Sequence, residues 1–245
     1  MTASGIQPGG FRLPDATRLG QVHLQVADLE RSLAYYGEVL GFRVRDRIPG
    51  KATLAAQGED DTPLIALHEH RGAAPVPHRG RLGLYHYAIL LPDRASLGRF
   101  VAHLGAIGVR AGASDHLVSE ALYLQDPDGL GIEVYADRPR ETWRYEALGF
   151  DKVVWNYPGA LFLSAGGYHH HLGVNSWAGA GAASPRKGDA QLLEWEIVVP
   201  RPEDAEAAGR SLEAAGHGIT RVEHGWLATD PWGTSLRLRS AQATI

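Results

Sequence analysis

The stretch Glu38-Val39-Leu40-Gly41-Phe42 recurs as Glu146-Ala147-Leu148-Gly149-Phe150, 108 positions further along the chain. A second stretch, Ala52-Thr53-Leu54-Ala55-Ala56-Gln57-Gly58, recurs with the same offset as Ala160-Leu161-Phe162-Leu163-Ser164-Ala165-Gly166. Three single residues, Pro92, Leu104 and Gly108, recur as Pro200, Leu212 and Gly216. A constant offset over this span indicates two copies of one architectural unit.

The unit itself can be read from residues 18–71. Residues 20–26 alternate polar and apolar side chains, which predicts a half-buried strand. Asp28 is a candidate helix N-cap, and Leu29, Leu33, Tyr36 and Leu40 then follow at helical spacing. Short strands are expected near 43–47, 51–57 and 63–68. The unit is therefore a strand, a helix and three strands, a βαβββ module.

The same order predicts three further modules. The second occupies 82–140, with an opening strand over 84–91 and later strands near 117–124 and 130–136. The counterpart of residues 18–34 should lie at 126–142, which the second module already uses. The third module, 143–177, is therefore partial and keeps only strands near 151–155, 160–165 and 170–175. The fourth occupies 191–240, 1–17 is a tail, and the fold class is α+β with tandem modules forming cupped mixed sheets.

Composition excludes several classes of function. The net charge of −4 over 245 residues gives no basic surface for nucleic acid or membranes, and no apolar run is long enough for a transmembrane helix. The absence of cysteine excludes disulfides, thiolate metal sites and cysteine nucleophiles. With no signal peptide recognisable at residues 1–5, we expect a cytoplasmic protein.

Four stretches carry a resemblance to a known family: 84–92, 118–129, 131–139 and 164–171. Together with the modular order they resemble the vicinal oxygen chelate superfamily, which contains glyoxalase I, bleomycin and fosfomycin resistance proteins and extradiol dioxygenases. They are most similar to the catechol 2,3-dioxygenase branch. The resemblance implies two modules paired into a cup around one metal, which the dioxygenases hold with two histidines and one carboxylate.

Two metal ligands follow from this resemblance. His86 lies on the opening strand of the second module, seven residues before Asp93, and Glu133 lies on its closing strand. A carboxylate facing into a cup is costly unless it is paired or bound to metal. The alternative is a buried hydrogen bond between His86 and Glu133 without an ion.

The third ligand is harder to assign, because the resemblance expects it on the missing opening strand of the third module. The substitutes are Gln21, which is seven residues before Asp28, or His23, which shares its face of the strand. Both belong to the first module, so either serves only if that module pairs with the second.

The resemblance also implies catalytic and substrate-binding residues. Tyr123, ten residues before Glu133, matches the tyrosine that hydrogen-bonds the substrate oxygen, and His170 matches the acid–base histidine. We expect His116, His169 and His171 to bind substrate. The alternatives are a core tyrosine whose hydroxyl reaches the rim and a solvated cluster of loop histidines.

The fourth module is expected to be inactive. Glu194 takes the position of His86 and Arg237 that of Glu133. Because arginine cannot bind a metal cation, we predict a Glu194–Arg237 ion pair in the space of the lost site.

The expected function is an Fe(II)-dependent extradiol dioxygenase, with Mn, Ni or Zn as alternative metals, that cleaves a catechol-type aromatic diol with O2. One alternative is a non-catalytic small-molecule binder of the bleomycin-resistance type. Another is a glyoxalase-like metal-dependent isomerase or lyase. The truncated module leaves a sheet edge uncovered, which predicts a homodimer.

Overall fold

The computed structural model of the protein describes residues 10–77, 81–139, 141, 158–179 and 181–241. These described residues form an eight-stranded, a four-stranded and a two-stranded sheet with three helices. Among these residues no helix has the length and apolarity needed to cross a membrane.

The first module begins with β1 (Arg18–Val26) and α1 (Leu29–Glu38), and continues with β2 (Arg43–Ile48), β3 (Lys51–Ala55) and β4 (Pro63–Glu69). Asp28 caps α1 as expected, because its side chain accepts a hydrogen bond from the Arg31 backbone N–H. β1 pairs in parallel with β4, the closing strand of the module. The element order is the one predicted from the alternation and helical spacing.

The second module contains β5 (Tyr87–Leu90), α2 (Arg94–Ala106), β6 (Gly112–Asp115), β7 (Ser119–Gln125) and β8 (Gly131–Asp137). It forms a separate sheet in the order β5-β8-β7-β6. The opening strand is shorter than the predicted 84–91, because Gly83 has a φ of 125° and turns the chain before β5 begins. His86 consequently lies just before the strand.

A further difference concerns the predicted strand near 117–124. β7 corresponds to this strand but begins only at Ser119, because the chain reverses at Leu117 (φ 66°) from β6, a strand that was not predicted. A leucine is uncommon in this conformation, so periodicity alone gave no sign of the turn.

The third module is represented by a hairpin of β9 (Ala160–Leu163) and β10 (Leu172–Asn175). The strand expected near 151–155 lies outside the described residues. Two strands of four residues are marginal on their own and depend on packing against a neighbour.

The fourth module comprises β11 (Gln191–Val199), α3 (Pro202–Ala214), β12 (Ile219–Val222), β13 (Gly225–Thr229) and β14 (Ser235–Ser240). Its opening strand β11 pairs antiparallel with β1, so the first and fourth modules share the sheet β12-β13-β14-β11-β1-β4-β3-β2. The first module thus pairs with the fourth. The second module forms the four-stranded sheet, and the described strands of the third form the two-stranded sheet.

The principal core joins the first two modules. Buried side chains of β1, α1 and β4 pack together with those of α2 and β8; they include Leu24, Tyr36, Leu67, Leu104 and Ile132. A smaller cluster lies under α3, where Val199, Ala205 and Leu238 pack with Leu13. Leu13 and the buried Thr17 show that the predicted tail is partly anchored.

The two segments between modules lie side by side. Isolated β-bridges join Ala74 to Asp189 and Arg81 to Ala183, and Arg81 forms an ion pair with Asp189. A second ion pair, Arg31–Asp128, ties the helix of the first module to the turn before β8. These contacts fix the position of the second module beside the first.

Candidate metal centre

The side chains of His86, just before β5, and Glu133, on β8, contact each other in the four-stranded sheet. The Nε2 atom of His86 lies 2.9 Å from Oε2 of Glu133. The side chains are 26% and 9% exposed, so the pair is sheltered but reachable. The other ring nitrogen of His86, Nδ1, is buried and has no hydrogen-bond partner within the described part of the chain. The two predicted ligands therefore converge.

Glu133 has two further polar neighbours. The Tyr123 hydroxyl donates to Oε1 of Glu133 at 3.1 Å, and Nε2 of His116 lies 2.7 Å from the same hydroxyl. Burial opposes the charge on Glu133, but the hydrogen bonds from His86 and Tyr123 outweigh it and lower the pKa of the carboxyl. Glu133 is therefore ionised at neutral pH, as a metal ligand must be.

The histidine run follows β9 and packs against β8. Nε2 of His169 lies 3.0 Å from Oδ1 of Asp137, and Nδ1 of His169 lies 3.0 Å from Nδ1 of His170. Burial, together with a smaller electrostatic effect of the neighbouring His169, lowers the pKa of His170 to about 4. The charges of Glu133 and His86 also act on this pKa, so the ring lies within their field. His170 is a neutral imidazole at physiological pH, able to accept a proton.

His171 points elsewhere. Its Nδ1 accepts the backbone N–H of Ala165 at 3.2 Å, within the loop of the hairpin. Burial lowers the pKa of His171 as well. These contacts favour a role in shaping the loop, and substrate binding by His171 stays a prediction.

Two polar residues at this site were not assigned from the sequence. Tyr168 donates its hydroxyl to Oδ1 of Asp137 at 3.2 Å, and the same hydroxyl lies 2.8 Å from that of Tyr135. Asp137 thus holds both Tyr168 and His169 over the end of β8. The available signal was the position of Asp137 two residues after Tyr135 and four after Glu133, on the same face of the strand.

Gln21 and His23 lie on β1, in the eight-stranded sheet. His23 Nδ1 is 3.2 Å from Nε2 of His68, and His23 Nε2 is 3.9 Å from Oε1 of Glu194. These contacts are with strands of the same sheet, and the backbone N–H of Gln21 likewise donates to Oε2 of Glu196 in β11. The expectation that either residue completes the His86–Glu133 pair therefore finds no support in the contacts.

The predicted ion pair of the fourth module is confirmed. Arg237 Nε lies 2.6 Å from Oε1 of Glu194, and Nη2 lies 3.1 Å from Oε2, a two-pronged contact. Next to it, Arg239 Nε donates to Glu196 at 3.0 Å. In the described ranges one trio of ligand atoms falls within 4.8 Å of one another, that of His23, Glu194 and Glu196. Because arginine neutralises both carboxylates, we interpret this trio as structural.

The residues at the second module fit a divalent metal as a partial ligand set. An imidazole nitrogen and an ionised carboxylate oxygen are the donors that first-row transition metals bind, and here they lie 2.9 Å apart, one just before β5 and the other in the neighbouring strand β8. Non-haem iron sites of the dioxygenase kind use two imidazoles and one carboxylate. His86 supplies one imidazole and Glu133 the carboxylate; within the described residues a further imidazole, that of His116, has its Nε2 3.8 Å from Oε1 of Glu133.

The comparisons with known proteins agree with this architecture. The profile of the "Glyoxalase/Bleomycin resistance protein/Dioxygenase superfamily" matches residues 18–134. A catechol-2,3-dioxygenase of Bacillus subtilis (strain 168) is 36% identical, and the match covers 88% of this chain and 94% of the relative. The aligned stretch of 271 residues is longer than this chain of 245, so the relative carries internal segments without a counterpart here.

Solved structures support the fold. A Bacillus subtilis protein described provisionally as a dioxygenase superposes with a TM-score of 0.66 at 14% identity, covering 92% of this chain and 85% of that protein. Glyoxalase I from Zea mays superposes with a TM-score of 0.57 at 19% identity, covering 93% and 94%. On the whole-length relationship to the Bacillus dioxygenase, the chain belongs to the glyoxalase/bleomycin resistance protein/dioxygenase superfamily, the vicinal oxygen chelate proteins.

Proposed function

We propose that the protein is a metal-dependent extradiol dioxygenase that opens the ring of a catechol-type aromatic diol with O2. The observation that carries the proposal is the contact of Glu133 with His86 at 2.9 Å and with the Tyr123 hydroxyl at 3.1 Å. The 36% identity to a catechol-2,3-dioxygenase over most of both chains supports the same reaction class. Fe(II) is the metal we expect, with Mn, Ni or Zn as alternatives.

His86 and Glu133 would hold the ion, and the diol would bind to it at positions that the protein leaves free. The ion would supply the redox chemistry that joins the diol and O2. The chain orients the two ligands: Glu133 projects from β8, and His86 lies at the turn into β5.

Tyr123 and His116 would act on the substrate oxygens. The Tyr123 hydroxyl lies between Glu133 and His116, at 3.1 and 2.7 Å. A hydroxyl in this position can move its hydrogen bond to a substrate oxygen as negative charge develops there. His116 would then keep the hydroxyl correctly oriented.

His170 would serve as the proton acceptor. Its lowered pKa, about 4, leaves it neutral at the pH of the cell, and the contact with His169 fixes its ring. Asp137 in turn bonds His169, which supports the orientation of the whole run. His169 and Tyr168 would border the substrate from the hairpin side.

A second candidate function follows from the ligand count. Within the described residues the contacts at His86 provide two ligands where the dioxygenase kind of site has three. A site with weak metal affinity would make the protein a small-molecule binder of the bleomycin-resistance type. The two functions differ in turnover and in the metal dependence of ligand binding.

The deciding experiment is to load the protein with Fe²⁺ under argon, add catechol and air, and follow the yellow semialdehyde by absorbance. We expect turnover in the wild type and its loss in His86→Ala and Glu133→Gln, with iron content reduced in both. His103→Ala is the matched control, because His103 lies in α2 and bonds the Glu38 carbonyl at the end of α1. Iron-independent binding of catechol without turnover would support the binder instead.

A further inference from the structure

The hairpin of β6 and β7 turns in an unfavourable backbone conformation beside the candidate site. His116 and Ser119 close a two-residue loop, in which the His116 N–H donates to the Ser119 carbonyl at 2.9 Å. Leu117, the first residue of the loop, has a φ of 66°, a region that glycine adopts readily and that costs other residues free energy. Such a conformation persists only where neighbouring groups hold it, and it clusters at functional sites.

The turn determines where the imidazole of His116 lies. Its Nε2 is 2.7 Å from the Tyr123 hydroxyl, which donates to Oε1 of Glu133 at 3.1 Å. The His116 side chain is 41% exposed, so packing alone does not fix it. Any change in the backbone of the turn would therefore move the imidazole away from the hydroxyl.

Asp115 holds the turn from the β6 side. Its Oδ1 accepts the Leu117 N–H at 2.8 Å, and its Oδ2 accepts from Nη2 of Arg138 at 2.7 Å. An aspartate that accepts the N–H two residues ahead stabilises a turn. The Leu117 N–H, together with Arg138, lowers the pKa of the Asp115 carboxyl, so the group is ionised at neutral pH.

Arg138 holds the turn from the end of β8. Its backbone N–H donates to the Val118 carbonyl at 2.9 Å, and Val118 is itself buried. Its guanidinium bonds Asp115 and reaches the Leu117 carbonyl at 3.5 Å. One residue of β8's end thus contacts three of the residues that form the turn.

A second carboxylate keeps the Arg138 guanidinium in place. Oε1 of Glu120 in β7 accepts from Nη2 of Arg138 at 3.2 Å, and the same carboxylate pairs with Arg94 at the start of α2. A lone surface ion pair stabilises little, whereas a network of several charges can contribute. The guanidinium is therefore held between β7 and the turn.

We propose that Arg138 and Asp115 are positioning residues for His116. They hold the 115–118 turn in the conformation that Leu117 disfavours, and so keep the imidazole against the Tyr123 hydroxyl. This inference rests on the proposed function for the part that Tyr123 plays in the reaction.

The preceding residue of β8 has a parallel role on the other side of the site. Asp137 bonds His169 and Tyr168 of the hairpin. The end of β8 therefore orients both borders of the site with two successive residues, Asp137 toward the histidine run and Arg138 toward the turn of His116.

The test compares two arginines of the same charge network. Arg138→Gln removes the ion pair with Asp115, whereas Arg94→Gln removes one with Glu120 and leaves the contacts of the turn intact. Asp115→Ala is a second variant; it changes an exposed side chain and removes the bond to the Leu117 N–H as well.

Two measurements are made on the full chain. Before the protein is loaded with iron, NMR detects the nuclear Overhauser contact between the His116 imidazole and the Tyr123 ring. After loading with Fe²⁺, kcat and KM for catechol are measured, also with Arg138→Gln in a Tyr123→Phe background.

We expect the Overhauser contact in wild type and Arg94→Gln, and its loss in Arg138→Gln and Asp115→Ala. In the latter two kcat should fall by between about 10- and 100-fold with little change in KM, because Tyr123 acts on charge that develops in the reaction. In the Tyr123→Phe background, Arg138→Gln should have no further effect, since the hydroxyl is gone. A merely structural role would lower kcat by the same factor in both backgrounds.

The NMR comparison decides the positioning role even if the protein does not turn over catechol. A contact retained in Arg138→Gln or in Asp115→Ala overturns the role of that residue, and a contact absent from wild type overturns both. An equal loss in Arg94→Gln would also overturn the proposal, because Arg94 does not bond the turn. An iron-loaded wild type without turnover, but with the expected NMR pattern, overturns the proposed function alone.

Discussion

Glu194 and Arg237 are joined by two N–O contacts of 2.6 and 3.1 Å, at the positions that His86 and Glu133 hold in the second module. The same two strands of the same βαβββ unit thus carry a ligand pair in one copy and an ion pair in the other. Glu194 is 14% exposed and Arg237 is 30% exposed, so the pair is sheltered by the sheet. The scaffold retains the geometry of a facing pair even where the chemistry has changed.

Removal of one partner of this pair should destabilise the fold. Arg237→Ala leaves the Glu194 carboxylate without its bidentate donor, and we expect a coupling energy of about 1–3 kcal/mol in a cycle with Glu194→Ala. Urea denaturation of the single and double variants measures it. Arg221 and Glu206 form the control pair, because Arg221 is 65% exposed and should couple by less than about 1 kcal/mol. Equal coupling energies in the two cycles would contradict the larger contribution expected of the sheltered Glu194–Arg237 pair.

Gly131 is predicted to be required for the position of His86. A Cβ at Gly131 would overlap the Tyr85 carbonyl oxygen and lie 3.1 Å from the His86 Cβ. Gly131→Ala should therefore displace the turn into β5, costing about 1–3 kcal/mol in unfolding free energy and weakening metal binding. Gly98→Ala is the control: nothing lies near its Cβ within α2, and we expect a gain of about 0.5–1 kcal/mol there. Equal stability of the two variants would argue against the close approach.

The modules themselves could be predicted from the sequence because they rest on local patterns. Alternation over 20–26 and helical spacing after Asp28 predicted β1 and α1, and the 108-residue offset identified the copies. The Glu194–Arg237 pair followed from equivalence of position alone. The contact between His86 and Glu133 could also be predicted, since His86 immediately precedes β5 and Glu133 lies on β8, which pairs with β5.

The pairing of modules could not be predicted in the same way. Whether β1 pairs with β5, β11 or a strand of the third module depends on long-range packing, which leaves no periodicity in β1 itself. For this reason Gln21 and His23 were assigned to a site in the other sheet. The role of Asp137 could not be predicted either, because its partners Tyr168 and His169 belong to a separate hairpin that is distant in the sequence.

Tyr123 should affect turnover more than metal binding. Its hydroxyl donates to Glu133 and is contacted by His116, but a metal would be held by His86 and Glu133. Tyr123→Phe is expected to lower kcat by about 100-fold, the effect of removing one donor to a developing oxyanion. Metal content should change little. Tyr35→Phe, in α1 of the first module, is the control, and an equal effect of both substitutions would refute the assignment.

Adjacent histidines should differ in their effect on the reaction. His170→Gln removes a neutral imidazole whose pKa responds to the charges of Glu133 and His86, and we expect kcat to fall by about 100-fold. His171→Gln should have a much smaller effect, because His171 accepts the Ala165 N–H inside the hairpin loop. Steady-state rates with catechol and Fe²⁺-loaded protein decide the comparison. A larger loss of kcat for His171→Gln than for His170→Gln would show that His170 is not the proton acceptor.

The pH dependence of stability should reveal a buried carboxyl. Burial raises the pKa of Asp126 to about 6, although backbone N–H groups of Leu130 and Asp128 and the Tyr36 hydroxyl all donate to it. A raised pKa means that the folded state binds the proton more tightly than the unfolded state between about pH 4 and 6. Asp126 therefore contributes stability below this window and loses it as pH rises through 6.

Asp126→Asn cannot titrate and keeps an oxygen for the backbone donors. Its unfolding free energy relative to wild type should rise by about 3 kcal/mol between pH 4 and 7, since one pKa unit corresponds to about 1.36 kcal/mol. Asp93→Asn is the control of opposite sign. Hydrogen bonds from Ser96 lower the pKa of Asp93, so its contribution is lost as pH falls below about 4. Urea titrations extended down to about pH 2 should show the Asp126→Asn difference rising with pH above about pH 4, and the Asp93→Asn difference changing with the opposite slope below it. A flat Asp126→Asn difference above about pH 4 would show that Asp126 ionises normally in the fold.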